Sequence, residues 1–502
     1  MYCSSCDETQ TKVSGNDPAP RCIDPCHMKI LLVKPYWLWG SPVEASPPMG
    51  LLYLSSALKK RFPGINTRLL DMRLENDKSD CLSQTVESWK PDLVGFLCLT
   101  GDYSTLDRLT ADAKQVRPGA HISCGGPYPT QCPEDFKNLV HVDSIIRGEG
   151  ETSVCDLVAY LSGTESSVDL RVKGVGLRHP DGTLMIPDHS PLVKNLDEIP
   201  IPDWGLLDID LYSRAIQINA ILDGRRYMPI VTSRGCPFSC IYCHAMFGRT
   251  VRMRSAQSVV DEIETLVKHH RVDEIQIYDD IFNMDRDRVF AICDLIIERK
   301  LNIKLSFPNA IRGDMMDDEM IIKLKQAGAY MITFAIETAS PRLQKLIGKN
   351  LDLPKTIRAI EFAESIGLIT RGFFMIGFPT ETLDEIKQTI RLARNLPLTT
   401  LSIFSVVPFK GTVLHNLAKK HTNERGRVRL MRPDPTYFSP RTYYSEATGI
   451  NLRRHVFSAY VMFFTPWRVI RYFIRIPRKA LYLRHIAGLL KTGFITRKNK
   501  LP

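Results

Sequence analysis

After Glu446 the 502-residue chain has no acidic residue at all. Arg453, Arg454, Arg468, Arg471, Arg475, Arg478, Lys479, Arg484, Lys491, Arg497, Lys498 and Lys500 carry +12 there, against a formal +11 for the whole chain. The body before residue 453 is therefore close to neutral, and the basic balance says nothing about its partners. No nucleic-acid recognition module accompanies the basic tail, so no nucleic acid is expected. Long apolar runs are missing too. The longest, Val456 to Trp467, is about twelve residues broken by Ser458 and Thr465, whereas a span needs about twenty. Thirteen cysteines are too few for a disulfide scaffold, and the first residues lack the basic-then-apolar pattern of a leader. A reducing, cytoplasmic location is expected, where cysteine clusters read as metal or redox sites. With 44% hydrophobic and 24% charged residues, wholesale disorder and collagen-like classes are excluded. The length suggests roughly three units.

Residues 1–28 are polar and aperiodic and read as a flexible tail. The apolar run Ile30-Leu31-Leu32-Val33 then reads as a buried strand, and strands and helices alternate to residue 164. That alternation predicts βαβ units and an open, doubly wound, Rossmann-like parallel sheet over 29–164. Ligands of such sheets sit beyond the strand carboxyl ends, which points to Thr100, Gly125-Gly126 and Gly148-Glu149. Residues 165–204, with a hairpin signal at His179-Pro180-Asp181-Gly182 and the stiff Ile199-Pro200-Ile201-Pro202, read as a linker. Over 205–425 six strand-then-helix repeats predict a partial (β/α)6 barrel. Residues 426–502 form a basic, aromatic, helical extension.

The sharpest motif is Cys236-x3-Cys240-x2-Cys243, directly after the first strand of the second series. Three thiolates on one short loop can hold three corners of an iron-sulfur cube and leave the fourth iron open to a small molecule. A zinc site would need a fourth ligand; His244 is adjacent, although so close to Cys243 that it reaches round poorly.

This motif, with aromatic Tyr242 before the third cysteine, resembles the signature of radical S-adenosylmethionine enzymes. The resemblance implies a [4Fe-4S] cluster held by Cys236, Cys240 and Cys243, whose open iron chelates S-adenosylmethionine. It also implies an electron donor such as flavodoxin or ferredoxin, and a 5′-deoxyadenosyl radical that removes hydrogen from substrate. Later segments stand in family order: Tyr278-Asp279-Asp280, where the family has polar contacts to the methionyl moiety, Asn309 after the third strand, Glu337 at the end of the fourth, where a carboxylate meets the ribose, and Gly377 after the fifth, near the adenine. Each has a plainer reading: Asp279 and Asp280 as helix caps, Glu337 as partner of a surface cation, Gly377 as a turn. Arg252 and Arg254 read as ligands of a carboxylate or phosphate, or as a solvated face.

The first unit resembles the cobalamin-binding domain that precedes many of these enzymes, through Pro47-Pro48-Met49-Gly50-Leu51, Thr100, Gly125-Gly126-Pro127 and Gly148-Glu149-Gly150-Glu151. The Asp-x-His-x-x-Gly motif that supplies an axial histidine elsewhere is absent, so a lower face without histidine is implied. Tyr128 stands where relatives often carry His. Cys3, Cys6, Cys22 and Cys26 are the alternative to a plain tail, as a four-ligand zinc or second cluster site.

The expectation is a cobalamin-dependent C-methyltransferase acting on an unactivated carbon. Its alternatives are an oxidative ring-former of the anaerobic tetrapyrrole cyclase type and, from another class, a non-catalytic cobalamin or iron-sulfur sensor. On a helix Arg468, Arg471, Arg475 and Arg478 fall within about 80°. Such a stripe beside aromatics predicts either peripheral contact with the inner face of a membrane, and with it a lipid or tetrapyrrole substrate, or a cap over the barrel mouth.

Overall fold

The computed structural model describes residues 24–36, 46–75, 80–164, 169–187, 192–214, 221–424 and 450–480, with isolated positions at 427, 430, 444–446 and 483. Cys3, Cys6 and Cys22 of the expected tail, and the extension beyond residue 483, lie outside them.

The first unit runs β1 (Lys29–Lys34), α1 (Met49–Arg61), β2 (Asn66–Asp71), α2 (Cys81–Trp89), β3 (Leu93–Leu97), α3 (Tyr103–Val116), β4 (His121–Gly125), α4 (Pro127–Gln131), β5 (Ser144–Ile146), α5 (Gly150–Leu161) and β6 (Val175–Leu177). Its sheet order is β2-β1-β3-β4-β5-β6. Every residue of β1 after Lys29 is buried, as a central parallel strand covered on both faces requires. Strand order reverses between β1 and β3, and the crevice beyond their carboxyl ends is where doubly wound sheets take ligands.

Part of the 165–204 segment is not a linker. β6 pairs antiparallel with β5, Ile145 opposite Gly176, and the chain returns after the Asp181-Gly182 turn to bridge Arg178 with Leu184. The parallel sheet thereby gains an antiparallel edge. The stiff segment that follows is fastened to α1: the Ser55 hydroxyl donates to Asp203 at 2.7 Å, and the Ser56 hydroxyl to the Ile201 carbonyl at 2.6 Å. Leu52 of α1 joins the same buried cluster as Trp204, Met228 and Ile230 of the second unit.

That unit contains α6 (Ile209–Arg214), β7 (Tyr227–Ile230), the short β8 (Ser233–Arg234) and β9 (Arg252–Met253), α7 (Ala256–His270), β10 (Glu274–Ile277), α8 (Arg286–Glu298), β11 (Lys304–Ile311), α9 (Asp318–Gln326), β12 (Ala329–Glu337), α10 (Pro341–Leu346), α11 (Leu353–Ser365), β13 (Ile369–Ile376), α12 (Leu383–Asn395), β14 (Thr400–Ser405) and α13 (Val413–Lys420). Its main sheet keeps chain order, β14-β13-β12-β11-β10-β7, with all neighbours parallel. It is an open six-stranded partial barrel with edges at β7 and β14. Asn309 lies within β11 rather than after it, because the register slips between Phe307 and Ile311 around Ala310, whose φ is 74°.

The extension supplies α14 (Leu452–Phe463) and α15 (Pro466–Arg475). α14 covers the β14 edge, where the Ile403 N–H donates to the Tyr460 hydroxyl at 3.2 Å. Tyr472 and Ile476 pack on Met331 and Ile369, at the amino ends of β12 and β13. The cap therefore closes the barrel floor and not its mouth.

Candidate active site

The cysteine loop leaves β7 at the mouth and is tied down on both sides. Asp279, buried after β10, accepts the Thr232 N–H and the Ser233 hydroxyl, each at 2.6 Å, and the Thr232 hydroxyl besides. Burial pushes its carboxyl up while these donors pull against that. Asp279 thus positions the loop; it is not a helix cap, since Asp285 caps α8. Gly235 follows with φ 91°, and a Cβ there would come within 2.3 Å of the Thr250 carbonyl, so only glycine lets the loop turn. On the far side the Arg312 guanidinium stacks over Phe238 at 3.8 Å.

Cys236 is half-buried and Cys243 exposed. Burial raises the Cys236 thiol, and the charges of Asp280, Cys240 and Cys243 add to the rise. The thiols therefore sense one another, yet among the described residues no three Cys, His, Asp or Glu side chains converge as ligands of a single ion. His244 points elsewhere, with Nε2 3.3 Å from the Lys410 carbonyl. Three spaced thiols without a fourth ligand fit three corners of an iron-sulfur cube and not a mononuclear zinc site.

Around this loop the structure gathers most of the expected contacts. Asp280 is exposed and accepts the Gly235 N–H at 3.3 Å. Glu337, at φ 66° where β12 ends, accepts from the Tyr242 hydroxyl and from Lys349, both at 3.2 Å; its cation is buried rather than on the surface. Asn309 is exposed and donates to the Tyr278 carbonyl at 2.9 Å. Gly377 and Phe378 donate their N–H groups to the buried carboxyl of Glu381. Burial pushes Glu381 up to about 8, and its Oε1 has no hydrogen-bond partner among the described residues. Sequence reasoning passed over Glu381, although an acid four residues after a strand-end glycine was the available signal.

Facing the loop, at the switch point of the first sheet, is a cavity of about 420 Å³ with largely apolar walls. Gly125, Gly126, Gly148 and Glu149 line it as expected; Leu99 does so where Thr100 was expected, because Thr100 falls one residue beyond the wall. Met246 and Phe247 close it from the cysteine side, and no histidine is among the described lining residues. A Cβ on Gly126 would meet Leu97 at 2.8 Å, so the glycine keeps this turn flat. Ser123 Oγ and Glu151 Oε2 on the wall are buried without hydrogen-bond partners. Such acceptors fit a flat apolar macrocycle fringed with amide arms, which is cobalamin.

Glu149 is a strut between the two units. Arg252 forks onto it at 2.8 and 2.9 Å, the Val193 N–H donates at 2.5 Å, and Arg234 stands 3.3 Å away. Arg234 also pairs with Glu151 at 2.6 Å and lies between the Tyr53 and Phe247 rings, 5.3 and 5.2 Å from their centroids. Arg254 pairs with buried Glu262. The carboxylates these arginines reach are the protein's own. Nothing in the sequence marked Arg234, since its partners Glu149 and Glu151 lie over eighty residues away, at the start of α5. Tyr128 faces away from the cavity and donates to Asp135 at 2.6 Å.

Comparison with known proteins agrees with this geometry. The family model described as "B12 binding domain" matches residues 40–158, and that described as "Radical SAM superfamily" matches residues 230–393. The uncharacterized methyltransferase PH0819 of Pyrococcus horikoshii is 31% identical over 78% of this chain and 83% of its own. The anaerobic magnesium-protoporphyrin IX monomethyl ester cyclase of Rubrivivax gelatinosus is 28% identical over 73% and 66%. The structure of the radical S-adenosylmethionine methyltransferase TsrM from Kitasatospora setae, with cobalamin and a [4Fe-4S] cluster bound, superposes with a TM-score of 0.61 at 19% identity, covering 78% and 75%, a likeness of fold. The chain belongs to the radical S-adenosylmethionine enzymes that carry a B12-binding domain, and its cofactors are a [4Fe-4S] cluster, S-adenosylmethionine and cobalamin.

Proposed function

We propose that this enzyme is a C-methyltransferase acting on an unactivated carbon of a small hydrophobic or natural-product substrate. The observation that carries the reading is the cavity at the switch point, walled on one side by the glycine turns of the first unit and on the other by Met246 and Phe247 of the cysteine loop. The cobalamin cavity is thereby bounded by the loop that carries the cluster cysteines. When bound, the cluster with S-adenosylmethionine supplies hydrogen-atom abstraction and cobalamin supplies a transferable methyl group. Cys236, Cys240 and Cys243 hold the cluster, while Asp279 and Arg312 fix the loop that presents them. Tyr242, Asp280, Asn309, Glu337 and the Gly377 turn bind S-adenosylmethionine. Gly125, Gly126, Gly148, Ser123 and Glu151 receive cobalamin, and Glu149 with Arg234 and Arg252 keeps the two units in register and water out.

The name of the Pyrococcus relative favours methyl transfer, whereas the Rubrivivax relative keeps ring formation as the second reading. Anaerobic turnover with methyl-labelled S-adenosylmethionine separates them. A methyltransferase releases S-adenosylhomocysteine together with 5′-deoxyadenosine and labels its product; unlabelled product with 5′-deoxyadenosine alone overturns the assignment.

No helix among the described residues is long and apolar enough to cross a membrane. We propose peripheral contact through the extension, supported by exposed Phe457, Val461, Trp467, Ile470 and Ile474 on α14 and α15. These helices sit at the floor, opposite the cofactors, so they give no ground for a lipid-like substrate. A one-electron donor of the flavodoxin or ferredoxin class completes the proposed partners.

A further inference from the structure

Between α15 and the turn joining α12 to β14 lies a second cavity, about 150 Å³, lined by Arg468, Arg471, Arg475, Tyr472, Asn395 and the 397–399 turn. No acidic residue is among its described lining residues. The carboxylate nearest to balancing it, Glu364 on α11, is already spent. One of its oxygens takes both Arg471 and Arg475, and the other accepts from Thr370 and Thr399 at 3.4 and 3.3 Å. Among the described residues no carboxylate forms an ion pair with Arg468. Its guanidinium is held over the Phe463 ring at 4.5 Å and donates from Nη2 to the Leu396 carbonyl at 3.2 Å, while Nη1 is buried with no hydrogen-bond partner. Burial foremost, and after it the neighbouring Arg471 charge, draws down its affinity for its proton, while Glu364 opposes this.

A buried guanidinium nitrogen without an acceptor is costly, and three forks around one small space outnumber the single carboxylate that reaches them. Guanidinium forks match the spaced oxygens of a tetrahedral oxyanion better than a point anion. We propose that this floor cavity is a phosphate-binding site in which Arg468, with Arg471 and Arg475, takes a phosphate group, either a soluble phosphate ester or the headgroup of an anionic lipid. The exposed Trp467, Ile470 and Ile474 on the same helix make the second source accessible. The site stands apart from the cofactors, so it holds or fails independently of the methyltransferase reading.

The test uses the full chain with its cluster reconstituted. Inorganic phosphate is titrated against potassium chloride at constant ionic strength, reading the unfolding temperature and the rate at which phenylglyoxal modifies Arg468 and Arg475. Phosphate is expected to raise the first and to slow the second several-fold. R468Q is expected to weaken phosphate binding roughly tenfold, and R468K to recover part of it. The absence of a phosphate-specific response in the unmodified protein, or an unchanged response in R468Q, overturns the proposal. Vesicles of phosphatidylcholine with and without phosphatidic acid then separate the sources. A phosphatidic acid preference lost in R468Q assigns the headgroup; phosphate binding without that preference assigns a soluble ester.

Discussion

Two arginine clusters sit at opposite ends of the barrel and are composed differently. At the mouth, Arg234 and Arg252 meet Glu149 and Glu151, two cations against two carboxylates, all nearly excluded from water. At the floor, Arg468, Arg471 and Arg475 meet Glu364 alone, and the Arg471 side chain remains 45% exposed. A balanced, buried set is internal structure: each cation faces a carboxylate of its own chain and no net charge is left over, although Arg234 Nη1, Arg252 Nε and Glu151 Oε2 lack hydrogen-bond partners among the described residues. An unbalanced, half-open set has attraction to spare for something from outside. Charge type alone therefore does not assign a role. The count of partners does, and here it makes the mouth arginines struts and the floor arginines candidates for binding.

The largest contrast to test is chemical. Cys240→Ser removes a cluster ligand, and anaerobic assays are expected to find no S-adenosylmethionine cleavage. R468Q at the floor is expected to leave the cleavage rate unchanged within about twofold, since nothing it touches reaches the mouth. Loss of cleavage in R468Q would break the separation of the two ends. Stability gives the next contrast. Glu149→Gln strands the buried Arg252 guanidinium and leaves Arg234 with Glu151 alone, and is expected to cost about 3 kcal/mol in urea unfolding. Glu364→Gln is expected to cost about 1 kcal/mol, because water still reaches Arg471. Equal costs would mean that the two clusters are alike in kind.

How much of this was readable beforehand follows the same division. The strands of both sheets, and the helix Cys81–Trp89 to the residue, were legible because apolar period reports local burial. The cysteine loop was legible because its three ligands lie within eight residues of one another. The roles of Glu149 and Asp279 were not. Their partners, Arg252 and Thr232, are 103 and 47 residues away, and period carries no information about such pairings. Of the expected stripe of Arg468, Arg471, Arg475 and Arg478, the first three share a helix; Arg478 lies beyond its end, at φ 47°, and donates to the Gly224 carbonyl, and the direction of the stripe is not fixed by spacing. The usual expectation of cations outward fails because Glu364 and the Leu396 carbonyl lie beneath the helix. The hairpin containing β6 was legible from its turn, but not its place in the first sheet, because its partner Ile145 lies about thirty residues back and the turn signal carries no information about that pairing.

Glu381 offers a smaller effect with a definite sign. Its carboxyl is raised from 4.5 to about 8 in the folded chain, so between those values the native state holds a proton that the unfolded state has released. The stability this contributes is complete below about pH 4.5 and is lost as pH rises through about 8, with a slope of at most about 1.4 kcal/mol per pH unit. Urea midpoints are expected to fall between pH 6 and pH 8.5, and E381Q to flatten that fall. The same pH dependence in the unmodified chain and in E381Q over that window would show that Glu381 is ionised in both states and that the Gly377 turn is held by a carboxylate.

The smallest stability effect is expected where the helix faces water. Trp467 is 72% exposed and Ile474 69%, with Ile470 beside them, so replacing all three by serine removes little buried surface and is expected to shift unfolding by less than about 0.5 kcal/mol. Removing the whole extension is a poorer experiment. It would uncover the β14 edge that Tyr460 protects and the Met331 and Ile369 side chains under Tyr472, and an exposed edge with apolar surface binds vesicles and other chains for reasons of its own. The triple serine variant keeps that floor closed. If the outer face meets a membrane, co-sedimentation with anionic vesicles drops while the phosphate response of Arg468 persists, because the two sets of side chains leave the helix on adjoining faces, centred about 100° apart. Undiminished co-sedimentation would place any membrane contact elsewhere and leave the floor cavity to a soluble ligand.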